Sequence, residues 1–234
     1  MIEITNNPHL GTYAGFPNDY LFDLIRKGSP FPDDYVRKEI DRYVTPRSVC
    51  VDVGANLGYV SVYLSKRAER VYSLEPQPVV FLQLCCNLFL NGCMNVTPIN
   101  AAATEHPARM GFAEYQSGWV GTNDLSRYDA MRSIGSISLK ESDSGIMRGE
   151  RLDRLVHDHV DFIKIDTQGA DVDVILGSSG IVERDRPVIV FEYEDDLSRI
   201  NYGRTLTDLE EFLRRNRYRM RAICEQNFVL EPLP

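Results

Sequence analysis

Residues Val51–Gly58 read V-D-V-G-A-N-L-G, and about a helix length later V-Y-S-L-E-P closes on Glu75 and Pro76. The first is an apolar run feeding a glycine turn; the second is an apolar run tipped by one carboxylate. A carboxylate about 20 residues beyond such a turn can accept both hydroxyls of a ribose, because the two lie at the carboxyl edge of neighbouring parallel strands. The turn is not made for a pyrophosphate. A dinucleotide turn, G-x-G-x-x-G, needs a bare second glycine, whereas Ala55, Asn56 and Leu57 separate Gly54 from Gly58 here. Nor does Lys-Ser/Thr follow, as a phosphate-gripping loop requires; Tyr59 and Val60 do. An adenosine cofactor without phosphates suits this pattern, and S-adenosyl-L-methionine is the candidate, with Glu75 on its ribose.

Further along, three residues could move a proton. Asp166 ends F-I-K-I-D and Glu192 ends V-I-V-F-E, both at the carboxyl edge of expected parallel strands, where open α/β sheets bind ligands. His106 follows an earlier strand in T-E-H-P; His157 and His159 precede a strand, on the opposite edge. For each histidine alone an exposed structural role is the better reading. Lys164 points opposite to Ile163 and Ile165 if the segment is a strand, which leaves room for a buried pair with a carboxylate. Asp171 and Asp173 read as solvated acids at a helix N-terminus.

V-D-V-G-A-N-L-G, S-L-E-P and F-I-K-I-D-T-Q-G-A-D, with E-R-L-D-R-L before the last, together resemble the FkbM-type S-adenosylmethionine-dependent methyltransferases over roughly residues 43–218. The resemblance implies a single Rossmann-like class I methyltransferase domain that methylates a hydroxyl of a small molecule such as a sugar, glycan or polyketide. It implies that Gly54, Ala55, Asn56 and Gly58 hold the amino-acid end of the cofactor, and that Asp52 orients the turn or meets the cofactor amine. Glu75 and Pro76 would face the ribose, Asn100 and Ala101 the adenine, and Asp166 the reaction centre. Many family members carry glutamate where Gln168 stands, which weakens any metal-chelating reading; no metal is expected. The wider methyltransferase class has glycine where Asn56 stands.

Alternating strand and helix signals must position these groups: strands at 48–53, 71–74, 96–102, 161–165 and 187–193, with helices at 59–67, 78–90, 172–176 and 206–215 between or after them. The expected architecture is α/β, with a mostly parallel central sheet and antiparallel closure over 218–229. A β-rich insertion is expected near 109–147, including the Gly-rich, tryptophan-bearing loop 117–123, read as facing the substrate. Residues 1–45, helical in part and with Tyr13, Phe16, Tyr20, Phe22, Phe31 and Tyr35, would form a helical, aromatic lid or cap, or pack as helices into a core. The Rossmann-like domain would be 46–234.

A chain of 234 residues suffices for one such domain. Its net charge of -8 argues against a phosphate-backbone partner. No apolar run approaches the roughly 20 residues of a membrane span, and no signal-peptide pattern opens the chain. Five cysteines, odd in number and without a zinc-like pair, read as mostly buried free thiols of a cytoplasmic protein. The basic run Arg214–Arg221 reads as a solvated face. Assembly with identical chains stays open. The rival readings are a non-catalytic S-adenosylmethionine-binding partner protein and a nicotinamide-dependent oxidoreductase; the latter lacks its pyrophosphate glycine and a Tyr/Lys pair.

Overall fold

The computed structural model describes residues 2–113, 135 and 137–234. The loop at 117–123 lies outside them, as does the centre of the expected insertion. The N-terminal residues fold into a hairpin that the sequence pattern does not announce, β1 (Glu3–Asn7) against β2 (Gly11–Gly15). Neither strand alternates apolar and polar residues cleanly, and Asn, Gly and Glu, which strands disfavour, make up half of the ten residues. Helices α1 (Tyr20–Arg26) and α2 (Asp34–Tyr43) follow, the first capped by the Asp19 carboxylate, which accepts from the Phe22 N–H.

The central alternation then runs β3 (Val49–Val53), α3 (Tyr59–Ser65), β4 (Arg70–Leu74), α4 (Pro78–Leu90) and β5 (Val96–Ile99). The third expected strand stops short of 102. Asn100 turns the chain there by donating its amide to the carbonyls of Glu75 and Pro76. The next residues instead join a second sheet, of β6 (Ala102–Ala103), β7 (Ala108–Phe112), β8 (Leu139–Glu141) and β9 (Met147–Glu150), in the order β6-β9-β7-β8. After α5 (Leu152–Leu155) come β10 (Phe162–Ile165), α6 (Asp171–Gly177), α7 (Ser179–Asp185), β11 (Val188–Glu192), α8 (Asp195–Tyr202), α9 (Asp208–Asn216), β12 (Tyr218–Cys224) and β13 (Asn227–Pro232).

The main sheet has the order β12-β13-β11-β10-β3-β4-β5. β11, β10, β3, β4 and β5 are parallel, and β13 runs antiparallel between β11 and β12. The chain winds outward from β3 to β5, then crosses back to β10 on the other side of β3. This reversal opens a crevice at the carboxyl ends of β3 and β10, the general ligand position of such sheets. Alternate strand residues feed opposite faces. Cys50, Phe162 and Val190 join one core, with Leu64 and Val71; Val51, Ile163 and Ile189 join the other, with Val174 and Leu230.

The N-terminal aromatics mostly enter the first of these cores. Tyr13, Phe22 and Phe31 are buried there, and Phe16 packs on Val80 and Ile137. All five cysteines are free, but Cys86 and Cys224 are exposed, contrary to the expectation of general burial. The arginines of 214–221 fan outward as expected, most of them onto carboxylates: Glu211, Glu183, Glu231 and Glu39. Among the described residues, no helix is long and apolar enough to cross a membrane.

Candidate active site

A cavity of about 250 Å³ occupies the crevice. Gly54, Asn56, Glu75, Ala101 and Asp166 border it from the strand ends. Tyr20, Leu24 and Asp33 wall it from the N-terminal segment, and Met110 and Leu139 from the second sheet.

The floor is the glycine turn. Gly54, Asn56 and Gly58 have φ of 76°, 50° and 85°. Left-handed backbone is easiest for glycine, and asparagine is among the side chains that tolerate it best. That is the physical reason Asn56 can stand where the wider class uses glycine. The N–H groups of Gly54 and Ala55 both donate to the Leu74 carbonyl, at 3.0 and 2.9 Å, tying the turn to β4. Asn56 Oδ1 is buried on this turn without a hydrogen-bond partner.

Glu75 is buried at the end of β4. Its Oε2 accepts from the Asn56 N–H at 3.1 Å and its Oε1 from the Gln77 N–H at 2.9 Å. Each oxygen retains a second lone pair, so the carboxylate is held in place without being used up. Burial outweighs these two bonds and raises its pKa to about 7.

Between β3 and β10 sits a buried cation. Lys164 Nζ donates to the Gly54 carbonyl at 3.2 Å and lies 3.4 Å from Asp52 Oδ1 and 3.5 Å from Asp166 Oδ2. Burial alone would lower its pKa; the Asp166, Asp52 and Asp33 carboxylates reverse that and hold it above the ordinary lysine value. Ser61 Oγ donates to Asp52 Oδ2 at 2.6 Å and meets Ser73 Oγ at 2.7 Å. Asp52 is therefore fully enclosed and does not border the cavity. Its position answers to orienting the turn through Lys164.

Asp166 does border the cavity, and Gln168 Nε2 donates to its Oδ1 at 3.1 Å. Glu192 lies within hydrogen-bonding reach of it. Burial, with the neighbouring Asp166 charge, raises the Glu192 carboxyl well above its ordinary range. Burial and Asp166 likewise raise Glu194 and Asp33. Asp33 sits at the N-cap position of α2 but makes no capping bond. It accepts instead from the Tyr35 and Tyr59 hydroxyls. Sequence reasoning missed it because P-D-D ahead of a helix reads as an ordinary cap.

A family model, Methyltransferase FkbM domain, matches residues 52–220, well over half of the chain. The chain belongs to the FkbM methyltransferase family. The solved structures similar to this FkbM-family protein include Methyltransferase FkbM from Methylobacillus flagellatus KT, at 17% identity and a TM-score of 0.51; the match covers 80% of this chain and 44% of that one. The chain thus spans less than half the length of that protein. An rRNA methylase from Streptococcus thermophilus has 12% identity and a TM-score of 0.53, over 87% of this chain and 98% of that one. A Streptococcus mutans protein solved in complex with SAH has 12% identity and a TM-score of 0.52, with the same coverage. At these identities the likeness is one of fold: the class I methyltransferase architecture with its mostly parallel sheet. No curated protein matches the sequence.

Several sites in this FkbM-family chain differ from expectation. His106 is 77% exposed, beside Glu105, and does not border the cavity, because the chain has already left the crevice for the second sheet. His159 pairs with Asp161 and Asp185, next to the amino end of β10. Asn100 is absent from the cavity wall, its amide being committed to the turn after β4, whereas Ala101 lines it. Asp171 is not a solvated acid. It is buried and accepts from the N–H groups of Thr167 and Gly169, at 3.0 and 3.2 Å, folding the T-Q-G turn back under Asp166. Burial raises its pKa to about 7. Asp173 is ion-paired to Arg204 at 2.7 Å. Among the described residues no cluster suited to a metal ion is present.

Proposed function

We propose that this chain is an S-adenosyl-L-methionine-dependent enzyme that methylates a hydroxyl oxygen of a small molecule. The observation that carries the reading is Glu75. Two backbone N–H groups fix its carboxylate at the cavity edge with lone pairs to spare, which is what a ribose diol requires. Asn56 Oδ1, buried and unpartnered, is the acceptor that an ammonium group at the amino-acid end would satisfy. The residues present therefore fit the cofactor. When bound, it supplies a methyl group on a sulfonium, already activated for transfer.

The chain's own part is to position and to move a proton. An alcohol is a weak acid and gains from a base in hydrogen-bond reach. Asp166 is the base in this reading: it borders the cavity, and Lys164 fixes it from below. Glu192, whose carboxyl burial and Asp166 push upward, stands beside it. Asp33 and Asp166 line the cavity with carboxylates, which would repel a phosphodiester and favours a neutral, polyhydroxylated acceptor such as a sugar or a polyketide. The exposed free thiols Cys86 and Cys224 suit a reducing cytoplasm.

The first test is calorimetric titration of the folded protein with S-adenosyl-L-methionine and, separately, NADH, on wild type and Glu75→Ala. Binding of the first ligand alone, strongly weakened in the variant, is expected. Failure to bind it, or selective binding of NADH, would refute the proposal. A panel of sugar and polyketide alcohols with labelled methyl donor then separates an enzyme from a protein that only binds. Asp166→Asn should lower transfer about 100-fold or more at unchanged cofactor affinity.

A further inference from the structure

Helix α4 is apolar on both faces: Val80, Leu84 and Leu88 are buried in the core, and a second apolar stripe faces outward. Among the buried apolar residues stand Gln83 and Asn87, continued by Asn91 just past the helix end, and all three reach inward to the backbone of β2. Its outward face carries Leu82, Cys86 and Phe89, followed beyond the helix by Met94. Leu82 is 68% exposed, Phe89 84% and Met94 92%, so these are not half-covered side chains. The inward amides are accounted for by the hairpin they hold. Nothing within the described residues covers the outward apolar stripe.

Three observations say what would. Leu82, Cys86 and Phe89 are spaced by four and then three residues, the seam by which one helix packs along another. From Pro76 through Thr104 the chain has no Asp, Glu, Lys, Arg or His at all, in a protein of net charge -8. Two copies, each of net charge -8, can meet across this rim without bringing charged side chains of this stretch face to face. Finally, β5, the strand beside α4, is the edge of the main sheet and contains Pro98, which blocks extension of the sheet into a neighbour. Contact at this end of the molecule has to be made by helices. A lipid surface would ask for basic residues beside the apolar ones, and this stretch has none.

We propose that this face is a two-fold interface with a second copy of the chain, α4 packing antiparallel on α4 with Cys86 near the axis. An isologous contact of this kind needs one self-complementary stripe and no other partner. It buries the exposed Leu82 and Phe89 and leaves the cavity open.

Sedimentation velocity tests it. Wild type should sediment as a dimer, and Phe89→Glu and Leu82→Glu as monomers with unchanged circular dichroism. Both side chains are exposed, so the variants keep their fold. In a Cys224→Ser background a short bis-maleimide should join two chains, and adding Cys86→Ser should abolish the product. A wild type that is monomeric at every concentration, or a dimer that survives both charge substitutions, overturns the proposal. So does cross-linking that does not depend on Cys86.

Discussion

A β-carbon on Gly54 would overlap the carbonyl oxygen of Asp166. The first turn of the cofactor motif and the strand-end carboxylate are therefore packed backbone to backbone, and the spacing between them is set by a missing side chain. Gly54 also needs φ of 76°, so it is constrained twice.

Gly54→Ala should destabilise the protein by about 3 kcal/mol, from left-handed strain plus the backbone shift needed to clear Asp166. Gly203→Ala is the control. That residue has φ of 65° with nothing near its missing β-carbon, so only the strain of about 1 kcal/mol remains. Urea unfolding of both variants checks the difference. Equal losses would show that the close approach carries no cost.

Glu75 gives a pH dependence with a definite sign. Its folded pKa of about 7 lies above the ordinary glutamate value of 4.5, so the folded state holds the proton more tightly. The free protein should lose stability as pH rises from 4.5 through 7, by up to about 3 kcal/mol from this group, and Asp171 acts in the same direction. Cofactor binding runs the other way, because the ionised carboxylate is the better hydroxyl acceptor. Affinity for S-adenosyl-L-methionine should weaken as pH falls from about 8 to about 6. The cofactor amine also titrates near this range, so the decisive quantity is the difference in slope between wild type and Glu75→Gln. Parallel slopes would remove Glu75 from the ribose.

Among the described residues, Lys164 is the single cation facing Asp52 and Asp166 across β3 and β10. Lys164→Met should cost about 3 kcal/mol at neutral pH, since it leaves enclosed Asp52 without its counter-charge. The unpaired carboxylates then bind protons more tightly, so the deficit should shrink as pH falls. Asp52→Asn in the same chain should restore much of the loss. Guanidinium unfolding of the single and double variants across pH measures both effects.

What was legible in the sequence was local. Gly54, Gly58 and Glu75 belong to two short segments joined by one helix, so their spacing alone places them at one sheet edge. Asp166 and Glu192 were found because each ends an apolar strand. The residues missed are those whose role depends on distant partners. Asp33 has the signature of a helix cap and was claimed instead by Tyr35 and Tyr59. Asp171 looked like a helix-start acid, and only burial against its own turn shows otherwise. The hairpin at 3–15 was hidden because its stability comes less from its own strands than from amides on α4, far away in sequence.

Asn87 is the strongest of those amides. Its Oδ1 accepts from the Ala14 N–H at 2.7 Å, and its Nδ2 donates to the carbonyls of Ala14 at 3.2 Å and Leu57 at 2.9 Å. One buried side chain thus joins the N-terminal hairpin to the glycine turn. Four residues on, Asn91 repeats the arrangement with Thr12, accepting its N–H at 3.0 Å and donating to its carbonyl at 2.7 Å. One helical turn on α4 matches a two-residue step on β2. Asn87→Leu keeps the volume and leaves two buried backbone groups unsatisfied, the Ala14 N–H and the Leu57 carbonyl, while Gln83 still donates to the Ala14 carbonyl, so it should cost about 2 kcal/mol. The amide hydrogen of Ala14 should then exchange much faster, while amides of β10 and β11, in the centre of the sheet, slow or quicken only with global stability. If Ala14 exchange instead tracks those central strands in the variant, the hairpin is held by its apolar contacts alone and the amide ladder is dispensable.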